Sequence, residues 1–338
     1  MARRRLSERQ IARIQRIQER RRHKLEARAE LSLDAREDED APRAGMVVVR
    51  HGANLLVEDA QGRQHPCVPR QHIGEPVCGD QVVWQPSGPN TGVITAIQPR
   101  STVLSRPTAT GQEKPLAANV DLLIIVIAPQ PPPTGFLVDQ YLVAAERIGA
   151  NALILCNKMD LLETPTRTGF LAGLQHYVDT GYPLLPLSLK QTPHLEPLRT
   201  HLCGRSAILV GQSGVGKSSL INALLPAHRA EIGAISAATG LGRHTTSAAT
   251  SYPLETGGRL IDSPGVRSFR LGAIGRGELE HGFPEFRPFL GQCRFSDCHH
   301  QHEPDCAIRA ASAAGSIAPA RLRAFQQLAE SAGRGGAA

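Results

Sequence analysis

Residues 206–225 read Ser-Ala-Ile-Leu-Val-Gly-Gln-Ser-Gly-Val-Gly-Lys-Ser-Ser-Leu-Ile-Asn-Ala-Leu-Leu. The apolar Ser206–Val210 run predicts a buried strand, and Ser219–Leu225 predicts a helix. Between them Gly211, Gln212, Ser213, Gly214, Val215, Gly216, Lys217 and Ser218 fit G-x-x-x-x-G-K-[ST] without a mismatch. Glycines let such a loop curl until several backbone N–H groups point inward at phosphate oxygens. Lys217 brings a point charge to the β- and γ-phosphates, and the Ser218 hydroxyl suits Mg²⁺. Ser219 opens the helix, whose positive end faces the same place. Strand, glycine loop and helix together predict a nucleotide-binding α/β domain.

Working outward, two further motifs fall at predicted strand ends, where open parallel sheets bind ligands. Downstream, Arg259–Ile261 leads into Asp262-Ser263-Pro264-Gly265. Asp262 can hold the Mg²⁺ shell through water, and the Gly265 N–H can reach a γ-phosphate. Upstream, the strand Asn151–Cys156 ends in Asn157-Lys158-Met159-Asp160. A carboxylate at Asp160 can accept from both N1–H and the N2 amine of guanine. Adenine lacks both donors and would leave the carboxylate unpaired, a loss of on the order of 10⁴-fold. The Lys158 stem can pack along the base, and Asn157 can brace the neighbouring loop. Ser188, after the apolar run Leu184–Leu187, is a candidate for the second guanine loop.

The order of the motifs departs from that of ordinary small GTPases: the base motif comes first, the phosphate loop second and Asp-x-x-Gly last. A circularly permuted G domain accounts for it, since permutation is tolerated where termini lie close together. Between the phosphate loop and Asp262 lies Thr239–Thr246, a candidate switch that GTP orders. Val266 stands where many GTPases carry a water-orienting glutamine. His244 is the nearest substitute, with Thr245 and Thr246 positioned to close on Mg²⁺ and γ-phosphate. A P-loop ATPase or kinase is the rival enzyme, opposed by Asp160. A non-hydrolysing RNA-binding switch is the rival class, suggested by Val266.

The flanking segments have other textures. Residues 1–30 carry eleven basic and four acidic residues, a surplus of +7 that equals the net charge of the whole chain. This predicts an arm that orders on polyanionic RNA; the acidic Glu37–Asp40 follows it. From Met46 to Thr102, short β-like runs (Met46–Val49, Asn54–Glu58, Gln81–Trp84, Gly92–Ile97) predict a small barrel of OB or SH3 type. Trp84 is expected in its core, with Arg50, His51, Arg63, Arg70 and His72 as candidates to face phosphates. Val120–Ala128 reads as a strand buried on both faces, and Val138–Ile148 as an amphipathic helix.

Near the end, Cys293-x₄-Cys298-x-His300-x₅-Cys306 supplies three thiolates and an imidazole, a set for closed tetrahedral zinc. His299 and His302 are alternative ligands. The other four cysteines are expected to be small buried apolar residues. A helix is predicted over Ala318–Ala329, followed by a Gly/Ala-rich tail. The 338 residues, 41% apolar and 20% charged, exclude a collagen, a coiled-coil rod or a fully disordered chain. No apolar run approaches the ~18 residues of a membrane span. Arg3–Arg5 lack the apolar stretch of a signal peptide. Seven cysteines without one point to a reducing, cytoplasmic setting.

This combination resembles the bacterial ribosome-small-subunit-dependent GTPase A family (RsgA, also called YjeQ) over nearly the whole chain. Its Gly-x-His-Thr-Thr segment is matched by Gly242-Arg243-His244-Thr245-Thr246. The resemblance implies a multi-domain α/β protein: arm (1–44), OB-type barrel (45–102), permuted GTPase domain (103–275), helical zinc module (276–330) and flexible tail (331–338). It also implies a monomer that binds 16S rRNA in the 30S subunit, hydrolyses GTP with Mg²⁺, and leaves on hydrolysis late in subunit maturation.

Overall fold

The computed structural model describes residues 41–52, 54–88, 91–108, 112–134, 136–190, 194–225, 249–263 and 274–335. The basic arm, the 239–246 loop with His244, Thr245 and Thr246, and Gly265 with Val266 lie outside the described residues. The chain divides into two compact units, the first running to Ser101 with short additions from later in the chain.

The first unit is built from β1 (Arg43–His51), β2 (Asn54–Glu58), β3 (Gln64–Pro69), β4 (Gln81–Gly88) and β5 (Thr91–Ile97). Pairings run β1–β2, β2–β3, β3–β5, β5–β4 and back from β4 to β1, so the sheet closes on itself. Only β3–β5 is parallel. Alternate residues turn inward: Val47, Leu55, Val57, Cys67, Val82, Trp84 and Ile94 form the core. The barrel and the buried Trp84 match the expectation. β3 does not appear among the expected strands, because Pro66 and Pro69 demote such a run; both are tolerated here.

Two of the basic residues expected at phosphates are engaged within the barrel. Arg50 donates to Pro76 O (2.6 Å) and Glu75, and Arg63 donates to the buried Asp59 (3.0 Å). Arg70 and His72 are exposed. Asp80, fully buried, receives Arg100 through two bonds of 2.7 Å.

The second unit opens with a two-stranded sheet, β6 (Val103–Pro107) and β7 (Glu113–Ala118). Then follow β8 (Leu122–Ile127), α1 (Leu137–Ile148), β9 (Asn151–Cys156), α2 (Thr164–Ala172), α3 (Gln175–Asp179), β10 (Leu184–Pro186), α4 (Glu196–Leu202), β11 (Ser206–Val210), α5 (Lys217–Leu224), β12 (Ala249–Pro253, its residues up to Ser251 counted with the first unit) and β13 (Arg259–Asp262). The strands β10-β9-β8-β11-β13 lie side by side and all parallel. β8, central, is buried on both faces. Leu122, Ile124 and Val126 pack with Leu198 and Leu202 of α4 and Leu220 and Leu224 of α5. Helix α5 begins at Lys217, two residues before the expected start, because Gly216 in the left-handed region (φ +97°) already turns the chain into it.

The C-terminal segment adds α6 (Arg276–His281), a 3₁₀ stretch Pro284–Phe289, α7 (Ala307–Ala313) and α8 (Pro319–Gly335). Helix α8 overruns the predicted stop at Ala329 and continues into the stretch expected as a flexible tail. Phe283, Phe286 and Phe325 form its aromatic core with ring centroids 5.0–5.6 Å apart. Val143 of α1 belongs to the same core. Arg321 of α8, fully buried, pairs with Asp139 of α1 and with Glu285 (2.6 Å), its guanidinium 4.4 Å from the Phe283 ring centroid. The Tyr177 hydroxyl also donates to Asp139 (3.0 Å). Among the described residues no helix is long and apolar enough to cross a membrane.

Candidate functional site

Strand register brings the sequence motifs together. β8 is flanked by β9 and β11, with Ile127 level with Cys156 and Ile125 level with Val210. The chain therefore leaves β9 into Asn157 and leaves β11 into Gly211 on the same edge of the sheet. The Asn157 N–H donates to Ile127 O (2.8 Å). Gly211 passes so close to the Val126 carbonyl that a Cβ there would collide with it, and its φ of +131° excludes other residues.

The base motif and the phosphate loop are hydrogen-bonded to each other. Asn157 Nδ2 donates to Val215 O (2.8 Å), and Lys158 Nζ donates to Gly214 O (2.6 Å) and Gln130 O (3.0 Å). A Cβ on Gly216 would strike Asn157 Nδ2. Lys217 Nζ donates to Gly211 O and Gln212 O, each at 2.6 Å. The Gln212 amide donates to Pro131 O (3.0 Å) and Pro132 O (2.7 Å), tying the loop to the proline run after β8.

Asp160 sits in a 3₁₀ turn, Met159–Leu161, entered through Lys158 in the left-handed region (φ +58°). Ser188 Oγ donates to Asp160 Oδ1 (2.7 Å), so the predicted second loop does meet the base motif. One carboxylate oxygen is thereby oriented by a neutral donor. A cavity of about 310 Å³ lies here, lined by Asn157, Lys158, Asp160, Leu161, Leu189, Lys190, Gly216 and Ser219. Leu161, Leu189 and Lys190 are absent from the sequence reading. Their signal was adjacency to Ser188 and Asp160, which identifies a lining only once both loops are known to converge. Asp262 ends β13 beside β11, half-buried, and the neighbouring Ser263 is buried.

The second cluster is in the C-terminal segment. His300 Nδ1 lies 3.6, 3.5 and 3.3 Å from the sulfurs of Cys293, Cys298 and Cys306, and Cys293 Sγ is 3.9 Å from Cys306 Sγ. Metal–ligand lengths of about 2.3 Å to sulfur and 2.0–2.1 Å to nitrogen give tetrahedral edges of about 3.6 Å for S···N and about 3.8 Å for S···S. The donor set and these distances fit zinc. His299 and His302 are exposed, so the structure selects His300, held at φ +57°. Its Nε2 donates to Glu280 (3.2 Å), which also receives Arg276 (2.8 Å). Burial opposes charge on Glu280, but these hydrogen bonds outweigh it and lower its pKa.

Three of the remaining cysteines are buried as expected, and burial raises the thiols of Cys67 and Cys156 to about 12. Cys203 is exposed, contrary to expectation: at the turn after α4 its thiol donates to Thr256 O (3.2 Å).

The family model described as RsgA GTPase matches residues 97–272. The small ribosomal subunit biogenesis GTPase RsgA of Ectopseudomonas mendocina (strain ymp) is 43% identical over 334 residues, covering 97% of each chain. The chain belongs to the RsgA GTPase family. As a family member it is a GTP hydrolase. The RsgA of Pseudomonas aeruginosa (strain LESB58) is also 43% identical, over 330 residues and 97% of each chain. Among solved structures, YjeQ from Thermotoga maritima superposes with a TM-score of 0.70 at 30% identity, covering 88% of this chain and 100% of that one. YloQ, described as a circularly permuted GTPase, gives 0.68 at 26% identity, with 89% and 98% covered. This chain shares its fold with both structures.

Proposed function

We propose that this GTPase takes part in small-ribosomal-subunit biogenesis, binding the 30S subunit with GTP and leaving when GTP is hydrolysed to GDP and phosphate. Its curated relatives carry the biogenesis role in their names. The observation that carries the nucleotide reading is the direct bonding of Asn157 and Lys158 to the phosphate loop, with Ser188 on Asp160. These bonds join the two motifs into one hydrogen-bonded unit, which supports a reading in which an intact guanine nucleotide spans both.

In this reading Asp160 accepts N1–H and N2 of guanine, and Lys158 flanks the base. Residues 211–219 cradle the phosphates, with Lys217 at the β- and γ-oxygens. Ser218 would hold Mg²⁺, and Asp262 its water shell. The ion would neutralise charge on the transferring phosphoryl group. Gly265, and Thr245 and Thr246 of the switch, belong with the γ-phosphate, and His244 with the attacking water. One zinc on Cys293, Cys298, His300 and Cys306 would be structural. The arm, barrel and zinc module would make the contacts to 16S rRNA, with the chain acting as a cytoplasmic monomer. The division at residues 44, 102, 275 and 330 belongs to the same proposal.

Asp160→Asn tests the base site. GTP should bind more weakly, and xanthosine triphosphate should gain, because an amide can donate to its 2-oxo group. Unchanged affinities for both nucleotides would remove Asp160 from the base.

A further inference from the structure

Arg167, on α2, takes no part in the site as described so far. Its side chain is partly buried, and its Nη2 donates to Met159 O (2.7 Å), with a longer contact to Leu162 O (3.5 Å). Its Nε is buried without a hydrogen-bond partner among the described residues, and among them it makes no ion pair. A guanidinium partly withdrawn from water, with no ion pair among the described residues, thus directs its bonds to the carbonyls at the two edges of the turn that carries Asp160. Such charge-assisted bonds are stronger than neutral ones.

The turn has few other supports. Met159 N–H reaches Leu187 O (3.1 Å), Leu161 N–H reaches Lys158 O (3.0 Å), and Leu162 N–H reaches Met159 O at a long 3.3 Å. Ser188 orients one oxygen of Asp160. Asn157 and Lys158 anchor the entry to the turn on the phosphate loop; the Met159 carbonyl itself is held, among the described residues, by Arg167 and the long Leu162 bond.

We propose that Arg167 is a positioning residue for base selection: by clamping Met159 O it aims the Asp160 carboxylate so that both of its oxygens meet guanine donors at once. The inference rests on the reading of Asp160 as the base acceptor. Two-point recognition needs both oxygens in plane with the base. A relaxed turn keeps one contact and loses the other, so discrimination fails before binding does.

The test measures dissociation constants of the full-length chain for GDP and for inosine diphosphate, which lacks the N2 amine. Arg167→Ala should lower the preference for GDP roughly tenfold, the scale of one hydrogen bond to a charged group. It should raise KM for GTP while leaving kcat at saturating GTP unchanged. Arg167→Lys, which keeps one donor within reach of Met159 O, should restore most of the preference. Parallel weakening of both nucleotides, or an unchanged ratio, would overturn the inference and leave Arg167 a stabilising contact only. Asp160→Asn is run alongside. If it too leaves the preference intact, the base-site reading falls; if it abolishes the preference while Arg167→Ala does not, only the role of Arg167 falls.

Discussion

Replacing Arg321 by methionine removes a fully buried cation while nearly conserving its volume. In the native chain Arg321 answers two carboxylates, Asp139 and Glu285, with Phe283 against its face. The variant keeps the Tyr177 bond to Asp139 but leaves both acids without a countercharge. Breaking a buried pair from one side costs about 3–5 kcal/mol, most of it the uncompensated charge. The loss should therefore shrink in the triple variant Arg321→Met, Asp139→Asn, Glu285→Gln, where no charge is stranded. Burial already raises the Asp139 carboxyl, with Arg321 opposing the shift. Without Arg321 its folded pKa rises further above the unfolded value. Stability of the variant should then be greatest at low pH and fall as pH climbs through that folded pKa. Native-state hydrogen exchange resolves the effect by helix: α1 and α8 should lose protection. Trp84 fluorescence should not move, because the chain's single tryptophan reports only the barrel. A drop of less than about 1 kcal/mol, or a triple variant as unstable as the single one, would refute the stranded-charge account.

Purified protein should contain one zinc per chain, and Glu280→Gln should weaken zinc binding about 10–100-fold in a chelator competition, since the carboxylate orients His300; unaltered affinity would free Glu280 of that role. In the barrel, burial works to raise the Asp59 carboxyl. Hydrogen bonds from His65 and Arg63 and from the backbone of Arg63 and Gln61 prevail and hold it at about 2. Its contribution is therefore complete above the unfolded value of about 3.9 and lost as pH falls towards 2. Acid titration followed by Trp84 fluorescence should show this loss in the native chain and not in Asp59→Asn.

Strong patterns are legible in the sequence itself: the phosphate loop, the base motif, their inverted order, and the Cys/His spacing. Each is a run of adjacent residues whose chemistry is local. What stayed hidden depended on register. Gln212 meets the carbonyls of Pro131 and Pro132 from some 80 positions away, and nothing in either stretch announces the other. β3 was concealed by its two prolines, and β10 by being three residues long. The charges in α8 look like a solvated face, and only the fold reveals that Arg321 is fully buried. His300 was separable from His299 and His302 only by burial and distance.

The central position of β8 bears on how the chain is made. As translation proceeds, β8 is the first strand of the parallel sheet to emerge, and β9 can cover one edge soon afterwards. Its other edge waits for β11, roughly 80 residues later, which at about 5–20 residues per second is about 4–16 s of synthesis. During that interval a six-residue strand of Leu, Ile and Val stands with an open hydrogen-bonding edge. The order of the strands along the chain therefore leaves β8 half-paired until β11 has been made.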